Sequence, residues 1–153
     1  MFKIRAFHNK DATILAQIFA EAFPDEIARG MPELQAEKFI AFSKRAEVRI
    51  FVAEDRKRPV GFLTLTEGDL ETPAQIHLVA VRKDLRSSGI GKALVKKAIE
   101  HAKAVGRKKL KLFARPWNVV IGKVCIDCGL VPEAYLRREY LNMDLILYSI
   151  FLE

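Results

Sequence analysis

Apolar and polar residues alternate from the second position: Phe2-Lys3-Ile4-Arg5-Ala6-Phe7 repeats its character every two residues, which predicts a short strand over residues 2–7. From Asp11 the period lengthens. Ile14, Leu15, Ile18, Phe19, Ala22 and Phe23 recur at helical spacing, with Asp11 placed as N-cap and Pro24-Asp25 as the stop. Beyond Gly30 and Pro32, the apolar positions Leu34, Phe39, Ile40 and Phe42 predict a second helix over about 33–45. Arg49 to Glu54 and Val60 to Thr66 read as strands joined through the charged tract Asp55–Pro59, and Gly68 to Pro73 reads as a loop.

The second half repeats this grammar. Ala74 to Arg82 is a strand, and Arg82 to Ser88 is polar and turn-like. Gly89 to Val105 is a helix with Ile90, Leu94, Ala98, Ile99, Ala102 and Val105 on one face, closed by Gly106. Leu110 to Ala114 is a short strand. Asn118 to Cys128 is a helix closed by Gly129, and Tyr135–Leu141 and Leu145–Leu152 pair around Asn142-Met143-Asp144. The order β-α-α-β-β-β-α-β-α-β-β, without repeat or linker, predicts an α+β domain with mixed strand directions. At 153 residues the chain suits a single domain spanning 1–153.

Composition narrows the class. Half the residues are hydrophobic and 29% are charged, which excludes a disordered chain. No apolar run of about 18 residues is present, so no membrane-spanning helix is expected. The alternating N-terminus is not a signal-peptide core. Two cysteines, Cys125 and Cys128, exclude a disulfide framework and make a reducing compartment, the cytoplasm, the default.

Charge changes the picture further. The formal net charge is +7, yet the stretch from Arg82 to Lys123 holds 13 of the 26 basic residues and only Asp84 and Glu100 among the 19 acidic ones. The remainder is net acidic. That basic stretch is either the solvated face of a helix with polar loops or an anion site. It brackets Val79-Ala80-Val81-Arg82-Lys83-Asp84-Leu85-Arg86-Ser87-Ser88-Gly89-Ile90-Gly91-Lys92, where a strand enters a small-residue turn that opens an amphipathic helix. Amides at such a helix start lack intrahelical acceptors and sit at the positive end of the dipole. Gly89 and Gly91 let an anion approach the backbone, and Arg86 and Lys92 add charge. A dinucleotide turn needs a third glycine and a P-loop needs an earlier glycine and a hydroxyl after the lysine, so neither pattern is met.

Arg86-x-x-Gly89-x-Gly91 after an apolar strand resembles the acetyl-CoA signature of the GNAT superfamily of N-acetyltransferases. Asn118 opening the next helix and Gly129-Leu130 closing it resemble that family's N-x-x-A-x-x-L-Y-x-x-x-G-F pattern. The likeness in element order covers nearly the whole chain, and its specific part runs from Val79 to Leu130. It implies a three-layer α/β/α domain with a mixed, central, splayed sheet. It implies transfer of an acetyl group from acetyl-CoA to a primary amine, with no metal. The cofactor-binding residues would be Val79, Ala80 and Val81 along the pantetheine arm, Arg86, Ser87, Ser88, Gly89, Ile90, Gly91 and Lys92 at the pyrophosphate, and Asn118 and Cys125 on the following helix. The implied partners are acetyl-CoA and an amine acceptor, small molecule or protein, for a monomer or homodimer without membrane or nucleic acid.

The catalytic groups depart from the family pattern. Cys125 stands where relatives carry their usual acid, a tyrosine; Cys125 itself or Tyr140 or Tyr135 would donate instead. Two places where relatives carry a base hold Gln75 and Phe113. His77, which the two-residue period places on one face with Gln75 and Val79, is the candidate base, against the alternative of a partly buried structural histidine. Glu21, Asp25 and Glu26 lie at the edge where the family binds its acceptor. Cys125-Ile126-Asp127-Cys128 has the C-x-x-C spacing, but it ends a helix, where the dipole raises thiol pKa, and no further ligand pair completes a zinc site. An alternative function is nucleic-acid or ribosome binding through Lys96, Lys97, Lys103, Arg107, Lys108, Lys109 and Lys111, with Trp117 beside Arg115 as a stacking residue.

Overall fold

A computed structural model describes residues 1–153. The elements are β1 (Phe2–Ala6), α1 (Ala12–Ala22), α2 (Pro24–Ala28), α3 (Ala36–Ser43), β2 (Val48–Asp55), β3 (Arg58–Thr66), β4 (Ala74–Val81), α4 (Ile90–Ala104), β5 (Lys109–Ala114), α5 (Val119–Asp127), β6 (Val131–Tyr140) and β7 (Met143–Phe151). The seven strands form one sheet in the order β1-β2-β3-β4-β5-β7-β6. Every pairing is antiparallel except β4 with β5.

Two cores flank the sheet, which gives the expected three layers. On one face Leu15, Ile18 and Phe19 of α1 and Phe39 of α3 pack against Val52 and Phe62. On the other, Ile90, Leu94, Val95, Ala98 and Ala102 of α4 pack with Leu63, Leu65, Leu110 and Leu112. No helix is long and apolar enough to cross a membrane.

The local structure corrects the sequence reading in four places. Asp11 stands at the N-cap position of α1, as expected, but its side chain does not bond the helix amides. Its buried carboxylate accepts the Arg5 guanidinium at 2.8 and 2.9 Å and the His8 amide at 2.8 Å, and it closes a short 3-10 turn ahead of the helix. A second turn of helix, α2, follows α1 directly, because Pro24 at its first position fits there without needing an amide acceptor. The tract 55–59 is no long connection: Arg56 (φ 51°) and Lys57 (φ 65°) alone make the turn. Both sit in the left-handed region because a two-residue hairpin must match the strand twist. Leu141 and Asn142 do the same between β6 and β7. Finally, β6 begins at Val131 rather than Tyr135; it is an exposed edge strand with two irregularities, so it lacks the alternation that would announce it.

β4 and β5 pair only through Ala74–Ile76 with Leu110–Leu112. On its other side β4 pairs with β3, where Thr64 opposes Leu78 and Leu65 opposes Ile76, leaving His77 as an extra residue. Such a bulge bends the strand that carries it. β4 therefore diverges from β5 beyond Ile76, and the sheet is splayed as expected.

Candidate active site

A cleft of about 940 Å³ opens at the splay, walled by His77, Leu78 and Val79 of β4, Phe113 of β5, Asn118 before α5 and Tyr140 of β6. It is largely apolar with a few polar groups, the usual composition of a small-molecule site.

His77 is the extra residue of the β4 bulge. Its Nε2 is 2.8 Å from Thr66 Oγ1, and its Nδ1 is 3.5 Å from Gln75 Nε2. As the Gln75 side chain is oriented, its NH2 nitrogen faces Nδ1 and donates to it; with that orientation the ring proton sits on Nε2, towards the Thr66 hydroxyl. Partial burial, followed by the nearby Lys111 charge, lowers the His77 pKa below its ordinary value. The imidazole is therefore neutral at neutral pH and able to accept a proton. Its expected company is corrected in part. Gln75 shares its side, but Val79 does not: Val79 packs with Ile76 on the α4 face, whereas Leu78 and Ala80 pack on the α1 face. The extra residue reverses the alternation after position 77.

The open edge of β4 has a definite polarity. Arg82 donates its amide to Val60 O at 2.8 Å, so by alternation the Ala80 and Leu78 amides also face β3. The N–H and C=O groups of Val79 and Val81 consequently point into the gap beside β5. Ala80, expected among the cofactor contacts, is corrected: its backbone belongs to the β3 ladder, and its side chain is 3% exposed in the α1-side core.

At the end of β4 the chain turns into α4. Ser87 (φ 66°) and Gly89 (φ 89°) are left-handed, and a Cβ added at Gly89 would meet nothing within 4 Å. The first helical bond runs from Ala93 N–H to Gly89 O, and the amides from Ser87 to Lys92 have no protein acceptor. Arg86 folds back so that its Nε donates to Val81 O at 3.2 Å, which leaves its terminal nitrogens free. Ser88 donates its hydroxyl to Leu85 O, and the Ile90 side chain is buried in the core beneath. Lys92 makes no ion pair with a protein carboxylate. Asn118 caps α5, its Oδ1 accepting the Ile121 amide at 3.2 Å.

The other candidates separate. Tyr140 reaches the cleft, whereas the Tyr135 hydroxyl donates to Asp144 at 2.6 Å instead. Cys125 does not line it. The thiol is 0% exposed within the α4-side core, and burial, then Cys128, push its pKa up to about 12. The structure thus fails to bring Cys125 to either the proton-donor or the cofactor position expected of it. Glu26 does reach the cleft, but it is ion-paired with Arg115, which stacks on Trp117. Thr66 and Glu139 also line it. Nothing in the sequence pattern marks either, because each joins the cleft through a bulge or an irregular hairpin. Among the basic residues of the nucleic-acid reading, Arg107 is buried beside Glu67 and Lys109 pairs with Glu133 at 2.7 Å.

Comparison with known proteins adds three findings. Residues 12–120 match the model of the acetyltransferase (GNAT) family. An uncharacterized N-acetyltransferase of Methanocaldococcus jannaschii is 40% identical over 75 residues, 46% of this chain, and that stretch is a third (33%) of the relative's own length. Among solved structures, a ribosomal-protein-alanine N-acetyltransferase of Brucella melitensis superposes with a TM-score of 0.86 at 19% identity, over 98% of this chain and 99% of its own. A protein of Salmonella typhimurium solved with its cofactor acetyl-CoA also gives 0.86, at 16% identity, over 99% and 94%.

Proposed function

The chain belongs to the acetyltransferase (GNAT) family, and from that premise we propose that it moves an acetyl group from acetyl-CoA to a primary amine by direct attack in a ternary complex. The observation that carries this reading is the continuity of one path: free amides at Ser88–Lys92, the open backbone of Val79 and the open amide of Val81, and a neutral imidazole on the wall of the cleft they lead into. The open space over Gly89 fits a pyrophosphate seated on the helix start. When bound, acetyl-CoA supplies the activated thioester.

The chain's own residues then have three tasks. Ser88 to Lys92, with Arg86 and Lys92 adding charge, hold the phosphates. Val79 and Val81 hold the arm as an added strand would. His77 takes the proton that an attacking ammonium must lose. A thiolate whose conjugate acid has a pKa of about 8.5 leaves readily near neutral pH, so an acid is not essential. Tyr140 is the proton donor within reach of the cleft, and Cys125 is not. A reducing cytoplasm suits two free cysteines.

The test is an acceptor screen that detects free coenzyme A, run beside a thermal-shift titration with acetyl-CoA. The expected result is thiol release with at least one primary amine, and a raised midpoint that Gly89→Glu abolishes by placing a carboxylate in the phosphate cradle. An unchanged shift in that variant would remove the phosphate role from this turn.

A further inference from the structure

Resting on the transferase reading, we propose that the acceptor is an amine bearing one positive charge on an apolar body, and that the Glu26–Arg115 ion pair excludes polyamines. The charged side chains lining the cleft, apart from His77, are Glu26, Glu139, Arg45 and Arg115. Glu26 and Arg115 are spent on each other. Their side chains are 13% and 14% exposed, and the pair bridges α2 to the end of β5. Arg115 is held on its other side by the Trp117 ring, with its guanidinium carbon 5.7 Å from the centroid. Glu139 is left as the lining carboxylate without an ion pair, and Arg45 stands opposite it in sign. Lys111 adds another cation close to His77. A ligand with several ammonium groups needs several free carboxylates, and this cleft offers it one.

The walls fit a different ligand. Phe23, Met31, Phe42, Val48 and Leu145 supply apolar surface on the acceptor side. The route across that side is fixed by the sheet. His77 on β4 touches Thr66 on β3, Thr66 opposes Val48 on β2, and Val48 donates its amide to Arg45 O at 3.1 Å. From base to far wall is therefore two strand spacings, about 10 Å, enough for an aryl or alkyl group behind the reacting nitrogen.

The experiment uses 2-phenylethylamine and spermidine as probes. Binding to the coenzyme A complex is measured by calorimetry, and kcat/KM by thiol release from acetyl-CoA. The expected result is that the wild-type chain prefers phenylethylamine by about tenfold or more in both readouts. Arg115→Gln, which frees Glu26, is expected to reduce that preference about tenfold by improving spermidine. Leu145→Glu adds a carboxylate to the lining without touching the pair and is expected to act in the same direction, so the proposal does not hang on the folding of Arg115→Gln. Preference for spermidine by the wild-type chain, with thiol release intact, overturns the proposal and keeps the transferase reading. Binding of phenylethylamine without thiol release overturns the transferase reading and, with it, the assignment of this amine class as acceptor. Binding of neither amine, or folded variants with unaltered preference, overturns the proposal.

Discussion

His77 and Cys125 show how far a single residue's neighbours decide its chemistry. A two-residue period places His77 beside Val79, and it would stay there in an unbroken strand. The extra residue in β4 leaves it beside Gln75 and Thr66 but carries Val79 to the opposite face, a displacement that no residue in 74–82 signals. Cys125 is placed on its helix by the sequence pattern, but its burial depends on α5 packing against α4 and the sheet, which local sequence does not encode. The consequences are measurable. Desolvation and the Lys111 charge hold the His77 pKa below its ordinary 6.5, and protonation removes the lone pair a base needs. The rate should therefore be flat at neutral pH and fall on the acid side, with a midpoint below 6.5. Removing the repelling charge in Lys111→Gln should move that midpoint upward. His77→Ala should cost about 10²-fold at neutral pH, lose the acid limb, and recover as rising pH deprotonates the amine itself. An unchanged acid limb in His77→Ala would assign the base elsewhere. Cys125→Ala, by contrast, should retain the rate, because a thiol pushed up to about 12 and closed from the cleft has no proton to deliver to it.

At the scale of elements, most of the layout was legible because amphipathic periods are long and repetitive. The helices at 12–22 and 90–104 and the strands at 48–66 and 74–81 follow their apolar spacing closely. What escaped were parts set by context: α2, which is one turn long, and the first four residues of β6, whose exposed edge position removes the burial that creates alternation. The contact between α5 and β7 is of the same kind. Gly122 sits where a Cβ would come within 3.0 Å of the Tyr148 hydroxyl, so the helix lies close against the strand at that point. Alanine is favoured over glycine in a helix by up to about 1 kcal/mol, while forcing a methyl into a filled site costs about 1–3 kcal/mol. Gly122→Ala should therefore destabilise the protein by about 1 kcal/mol in denaturant unfolding. Tyr148→Phe removes the obstructing oxygen. In that background Gly122→Ala should become neutral or stabilising, and the two changes should be clearly non-additive. Additive effects would mean that the helix and strand separate freely at this contact.

The whole molecule is two sheet segments, β1–β4 and β5–β7, whose ladders meet in three paired positions, from Ala74–Leu110 to Ile76–Leu112. The sequence announced the consequence of this seam more clearly than its cause. Basic residues crowd the stretch from 82 to 123, which holds the glycine turn we propose to face the phosphates, whereas the splay itself follows from one bulge and a truncated ladder. Beyond the seam the Val79 and Val81 amides face the gap with no β5 acceptor, so in the free protein they should exchange with solvent faster than the Leu78 and Ala80 amides, which are held by β3. A ligand that adds to the β4 edge would reverse that order. Saturating coenzyme A should slow hydrogen exchange at Val79 and Val81 most, with protection at the Ser88–Lys92 amides if they hold the phosphates as proposed. A pantetheine fragment should protect the strand pair while leaving the helix start open. Arg86→Gln and Lys92→Gln should weaken coenzyme A more than pantetheine, and this difference should shrink as salt screens the phosphate contacts. Exchange at Val79 and Val81 that stays fast with bound coenzyme A would show that the ligand does not run along β4, and the open edge would then serve only to widen the cleft.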